Sequence, residues 1–129
     1  MPRILVIDDQ KDVLAMVCMV LRLNRFEATE ADSAKAGLKA FAEADFDAAV
    51  VDIFLADGCG FDLIAAMRER VPGFPVVAVS GMATLDAVAK SNDLAGVVCL
   101  QKPFRPIELI QAIETARASA GISKVGIAV

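Results

Sequence analysis

Four short runs of branched or small apolar residues, Ile4 to Ile7, Ala48 to Val51, Val76 to Val79 and Gly96 to Leu100, recur along the chain. A strand with one wet face alternates polar and apolar residues, whereas a strand covered on both faces need not. The runs therefore predict a sheet with helices on either side. Between the first two, Val13, Leu14, Met16, Val17, Val20, Leu21 and Leu23 return at helical spacing. The weakly patterned stretch Phe26 to Glu30 predicts an edge strand. Asp32-Ser33 opens a second helix, since either side chain can accept from a first-turn amide, with Leu38 and Phe41 on its apolar side.

Asp57-Gly58-Cys59-Gly60 reads as a turn before a third helix through Phe61, Leu63, Ile64 and Met67, which Pro72-Gly73-Phe74-Pro75 ends. A short helix is expected from Thr84 to about Asn92. Pro106 suits the first turn of a last helix, lined on one side by Ile107, Ile110, Ile113 and Ala116. Five strands alternating with five helices, joined by short right-handed crossovers, predict an α/β, flavodoxin-like (βα)5 fold. Its sheet is a doubly wound, parallel, five-stranded one with strand order 2-1-3-4-5. Ala118 to Val129 has no clear period and is expected to be disordered.

A chain of 129 residues has the length of one ordinary domain, and 57% hydrophobic residues suffice for a sizeable interior. No run approaches the roughly eighteen apolar residues of a membrane span, and the N-terminus lacks the pattern of a signal peptide. A cytoplasmic location without membrane attachment is the expectation. The formal charge is −4, with no histidine and no basic block, which argues against direct nucleic-acid binding and rules out an imidazole base or ligand. Cys18, Cys59 and Cys99 are odd in number and lack CxxC spacing, so neither a disulfide frame nor a zinc site is expected.

In a sheet of this kind, ligands bind at the carboxyl ends of the strands. The first strand ends in Asp8-Asp9, the third in Asp52, the fourth in Ser80, and the fifth runs through Gln101 to Lys102. One sheet edge thus gathers three acids, a hydroxyl and an amine. Two carboxylates about 4 Å apart repel by about 4 kcal/mol at an effective dielectric of 20. Such a cluster must protonate or bind a cation, and oxygen donors favour Mg²⁺. Ser80 and Lys102 supply a hydrogen bond and a positive charge for a phosphoryl group, and Asp52 is the logical nucleophile. Singly, each residue has an ordinary reading as a cap, a turn or a solvated amine. Their placement at one end of successive strands does not.

These residues resemble the receiver domain of bacterial two-component response regulators, from Arg3 to about Arg117. The matching stretches are Ile4-Leu5-Val6-Ile7-Asp8-Asp9, then Val50 to Gly60 around Asp52, then Val76 to Gly81, and finally Lys102-Pro103-Phe104. The resemblance implies a receiver domain over residues 1–118 and a C-terminal tail over 119–129. It implies that Asp52 is phosphorylated by a phosphohistidine on a sensor histidine kinase or histidine phosphotransfer protein. It also implies Mg²⁺ held by Asp9, Asp52 and the backbone carbonyl of Phe54, with Asp8 acting mainly through a water. Lys102 would pair with the phosphoryl oxygens, Ser80 would swing toward them, and the Lys102-Pro103 peptide would be cis.

Downstream proteins would read the face made by the expected fourth helix, the fifth strand and the last helix. Two positions depart from the family's habit. Cys99 stands where an aromatic residue commonly rotates inward, and Ala56 where proline is often found. Phe54 and Met82 place apolar groups where they would flank the phosphoryl group and hinder attack by water. With only a dozen residues after the last helix, the expectation is a single-domain regulator that catalyses only its own phosphorylation and dephosphorylation. The enzyme alternative is a phosphatase or phosphotransferase with an Asp nucleophile, but Phe54 occupies the place of its second acid. A flavodoxin-like flavin binder would need a phosphate loop rich in Ser, Thr and Gly, which the chain lacks.

Overall fold

The computed structural model describes residues 1–81 and 96–128, from 120 onward as backbone only. The elements in chain order are β1 (Arg3–Ile7), α1 (Lys11–Leu23), β2 (Glu27–Ala31), α2 (Ala34–Glu43) and β3 (Ala48–Asp52). There follow β4 (Phe54–Leu55), β5 (Gly58–Cys59), α3 (Gly60–Arg70), β6 (Val76–Ser80), β7 (Val98–Gln101) and α4 (Pro106–Ala128). Five strands form one parallel sheet in the order β2-β1-β3-β6-β7, which is the 2-1-3-4-5 arrangement expected. The helix expected over Thr84 to Asn92, and Met82, lie outside the described residues.

Strand side chains alternate between two cores. Ile4, Val6, Val50, Val77 and Val79 face α1 and α4, where Leu14, Val17, Leu21, Leu109 and Ile113 cover them. Leu5, Ile7, Ala49, Val51 and Ala78 face the other way, under Phe41, Leu63, Ile64 and Met67. Phe41 and Phe74 close that second core edge-to-face, with ring centroids 5.0 Å apart. Each fully buried aliphatic side chain contributes about 1.5–3 kcal/mol, so both faces hold the sheet firmly.

Four sequence expectations need correction. Leu23, Leu38 and Ile107 are exposed, at 77%, 39% and 58%. In the same helices Leu21, Phe41 and Leu109 are the buried residues. On α2, Gly37 lies against Ile7, letting the helix approach the sheet where a larger residue would hold it off. The expected C-terminal disorder is replaced by helix, since α4 runs on to Ala128. No proline stops it, and an internal glycine costs a helix only about 1 kcal/mol. The short β4–β5 hairpin was not foreseen; it pairs Phe54 with Cys59 and Leu55 with Gly58.

Gly60 begins α3 directly against the end of β3. Its amide donates to the Ile53 carbonyl at 2.8 Å, and a Cβ there would fall 2.6 Å from the Cα of Ile53. Gly60→Ala is expected to destabilise the fold by about 1–3 kcal/mol, the usual range for forced overpacking. Urea unfolding checks this; an unchanged midpoint contradicts the close approach.

Candidate functional site

The polar residues stand at the strand ends because ladder hydrogen bonds continue one residue past each strand. Asp8 donates its amide to the Ala31 carbonyl at 3.1 Å, Ile53 to Val79 at 3.0 Å and Lys102 to Ser80 at 2.7 Å. Side chains on backbone held this way keep their positions without help from loops. Asp8, Asp52 and Ser80 are buried, and among the described residues they are the buried polar ones.

Three carboxylates meet here: Asp8, Asp9 and Asp52 each offer an oxygen within 4.8 Å of the others. Lys102 reaches in from the end of β7. Its Nζ donates to Asp8 Oδ2 at 3.0 Å, to Gln10 Oε1 at 3.2 Å and to Asp52 Oδ2 at 3.4 Å. The second oxygens are also bound. Asp8 Oδ1 accepts from the Gln10 amide at 2.9 Å, and Asp52 Oδ1 accepts from the Phe54 amide at 3.1 Å. Asp9 Oδ2 accepts from the Ala56 amide at 2.8 Å. The Lys102-Pro103 peptide is cis.

The cluster opens into a cleft of about 490 Å³ lined by Asp9, Gln10, Asp52, Phe54, Gly81 and Lys102. Phe54 is 57% exposed at its mouth, an apolar ring beside charged groups. Burial pushes the Asp52 carboxyl above the usual range, and the nearby Asp8 charge adds to this; the Phe54 amide and Lys102 pull the other way. The donor set fits a hard divalent cation: oxygens from clustered acids, with no imidazole and no thiolate among them. The three acids could hold such an ion.

The structure thus brings Asp8, Asp9, Asp52 and Lys102 into one cluster, with Phe54 at the rim. Ser80 ends the neighbouring strand, wholly buried, and the residue after it lines the cleft. Gln10 went unremarked in the sequence. Its place directly after Asp8-Asp9, as the residue capping α1, was the available signal.

Residues 4–114 match a family model described as the response regulator receiver domain. The chain belongs to that family. Among curated relatives, the receiver is similar to the transcriptional regulatory protein PrrA of Mycobacterium tuberculosis, 35% identical over 114 residues that cover 88% of this chain and 48% of that protein. A putative NtrX-like response regulator of Rickettsia bellii is 24% identical, covering 88% of this chain and 24% of that protein. The chain spans about half or less of the length of these relatives. Among solved structures, a CheY-like response regulator receiver domain protein from Methanospirillum hungatei has a TM-score of 0.86 at 26% identity, covering 95% of this chain and 98% of that one. The receiver domain of NtrX from Brucella abortus gives 0.81 at 26% identity, covering 89% and 98%.

Receiver domains act in two-component signalling and bind Mg²⁺ at an acidic pocket, and the three aspartates form such a pocket here. Cys99 is half-buried beside the second core. Cys18 is buried in the first, and burial pushes its thiol up to about 11, so it stays protonated at neutral pH. No helix among the described residues is long and apolar enough to cross a membrane.

A carboxyl raised on folding binds its proton more tightly folded than unfolded, so its ionised form weakens the fold. Asp52→Asn is therefore expected to raise the melting temperature at neutral pH in the presence of a chelator. The gap should be full above the raised Asp52 pKa, shrink as pH falls through it, and close below the unfolded value near ~3.9. Thermal melts across that range check the direction; a variant less stable at every pH contradicts it.

Proposed function

We propose that this receiver is a phosphorylation-driven switch in which Asp52 attacks the phosphorus of a phosphohistidine on a sensor kinase or phosphotransfer protein. A bond forms from an Asp52 oxygen to phosphorus while the donor's P–N bond breaks and its imidazole leaves. The observation that carries this reading is the convergence of Lys102 Nζ on Asp8 and Asp52 at 3.0 and 3.4 Å within an open, acid-lined cleft. Phosphoryl transfer asks mainly for positioning and charge stabilisation, and this is what fixed strand ends provide.

In this reading Asp9, Asp52 and the Phe54 carbonyl hold Mg²⁺, with Asp8 in its outer shell. When bound, the ion supplies the positive charge that lets anionic reactants approach. Lys102 exchanges a carboxylate partner for a phosphoryl oxygen. Ser80 turns toward another and carries the loop beyond it, altering the surface that downstream proteins read. The added charge of about −1.5 to −2 biases that change, and a bias of a few kcal/mol shifts partner affinity markedly. The phosphatase or phosphotransferase reading has less support, because the exposed ring of Phe54 offers no proton to a leaving group.

Acetyl phosphate with Mg²⁺ is expected to add one phosphoryl mass to the wild type and none to Asp52→Asn. Intact mass spectrometry reads this, and an unmodified wild type contradicts the proposal. Phe54→Asn should speed loss of the phosphoryl group several-fold by removing the apolar shield from the attacking water. Equal decay rates would show that the ring does not control water access.

A further inference from the structure

An ammonium carries three hydrogens, and at Lys102 each has an acceptor. Two are the carboxylates of Asp8, at 3.0 Å, and Asp52, at 3.4 Å. The third is Gln10 Oε1, at 3.2 Å, and of the three it alone carries no charge. An ammonium can only donate, so the oxygen end of the Gln10 amide must face it. The orientation of that amide is thereby settled.

The root of the Gln10 side chain is fixed as well. Gln10 caps α1; its amide donates to Asp8 Oδ1 at 2.9 Å, and its carbonyl accepts from the Leu14 amide at 2.9 Å. A capping side chain ordinarily serves the free amides of its own helix. The side chain of Gln10 makes no such bond. It lines the cleft and reaches Lys102 instead, 92 positions away in the chain. The bond joins the segment after β1 to the end of β7 at the cleft itself, outside both cores.

Phosphorylation of Asp52 asks Lys102 to give up one partner. The contact to Asp52 is the longest of the three, and it is the one a phosphoryl oxygen would replace. Held by Asp8 alone, an ammonium on a flexible four-carbon stem would pivot about a single point. A second contact removes that freedom. A neutral acceptor does so without drawing the lysine's charge from the incoming group, as a further carboxylate would. Transfer between well-placed groups is sensitive to displacements of about 1 Å, so the gain is in rate.

We propose that Gln10 is a positioning residue for phosphoryl transfer, its amide oxygen holding the Lys102 ammonium over the cleft while that group exchanges Asp52 for a phosphoryl oxygen. The inference rests on the reading of Asp52 as the phosphoryl acceptor. Gln10 touches neither the phosphoryl group nor the ion in this role; it acts through Lys102.

A double-mutant cycle tests this. Gln10→Met keeps the length of the side chain and removes the strong acceptor. The rate of phosphorylation by acetyl phosphate at saturating Mg²⁺ is followed by intact mass for wild type, Gln10→Met, Lys102→Met and the double variant. Thermal melting confirms each fold. Gln10→Met is expected to slow phosphorylation roughly threefold to tenfold, the worth of one hydrogen bond. In the Lys102→Met background the same change should have no effect, because the group it positions is gone. The Lys102 ammonium protons should give a resolved NMR signal in wild type and in Gln10→Glu, which keeps an acceptor at the same reach, and lose it in Gln10→Met. A folded Gln10→Met that reacts as fast as wild type or faster, a loss of equal size in both backgrounds, or an ammonium signal unchanged in Gln10→Met overturns the positioning role alone. A wild type that gains no phosphoryl mass overturns the reading of Asp52 beneath it.

Discussion

Asp8 and Asp52 lie on adjacent strands, almost without access to water, and the ammonium of Lys102 is the charge that holds them together. Two ionised carboxylates at such separation repel by several kcal/mol at the effective dielectric of a protein site. One cation within hydrogen-bonding distance of both offsets that repulsion without removing it, and burial, with the Asp8 charge adding to it, keeps Asp52 resisting ionisation. The arrangement leaves the cluster short of positive charge. A divalent ion and the strongly charged group it accompanies both answer that shortage, and the cleft leaves room for them.

Such a cluster stays assembled because it is built on strand ends rather than on loops. The parallel register places Asp52 opposite Val79 and Ser80 opposite Gln101, so the polar residues emerge level with one another. Hydrogen bonds past the ends of β1, β3 and β7 hold the following backbone in line. Two apolar cores fasten the sheet from both sides. The energy that keeps unfavourable charges close therefore comes from residues such as Ile4, Val51, Ile64 and Ile113, far from the chemistry.

Much of this was readable from residue order alone. Unbroken apolar runs ending in Asp8-Asp9, Asp52, Ser80 and Lys102 implied both the parallel sheet and the gathering of those groups at one edge. Helix faces were less legible. Leu23, Leu38 and Ile107 are as hydrophobic as their buried neighbours, and only the docking angle of each helix decides which lies inside. The α2 cap from Asp57 joins residues 22 and 23 positions apart, and no local pattern reports such a bond. Ala56 was noted as the place where proline is often found. The hydrogen bond that its free amide makes to Asp9 became visible only with the hairpin in place. The continuation of α4 to Ala128 was missed because the absence of a clear period from Ala118 onward was read as disorder.

The most direct test of the account is a crystal structure of the protein soaked with Mg²⁺ and beryllofluoride, a tetrahedral stand-in for a phosphoryl group on a carboxylate. The account predicts density for the mimic on an Asp52 oxygen, the ion between it and Asp9, and Lys102 Nζ turned from Asp8 onto a fluorine. Density for the mimic on another residue, or Lys102 left on Asp8 and Asp52 with the mimic bound elsewhere, would contradict it.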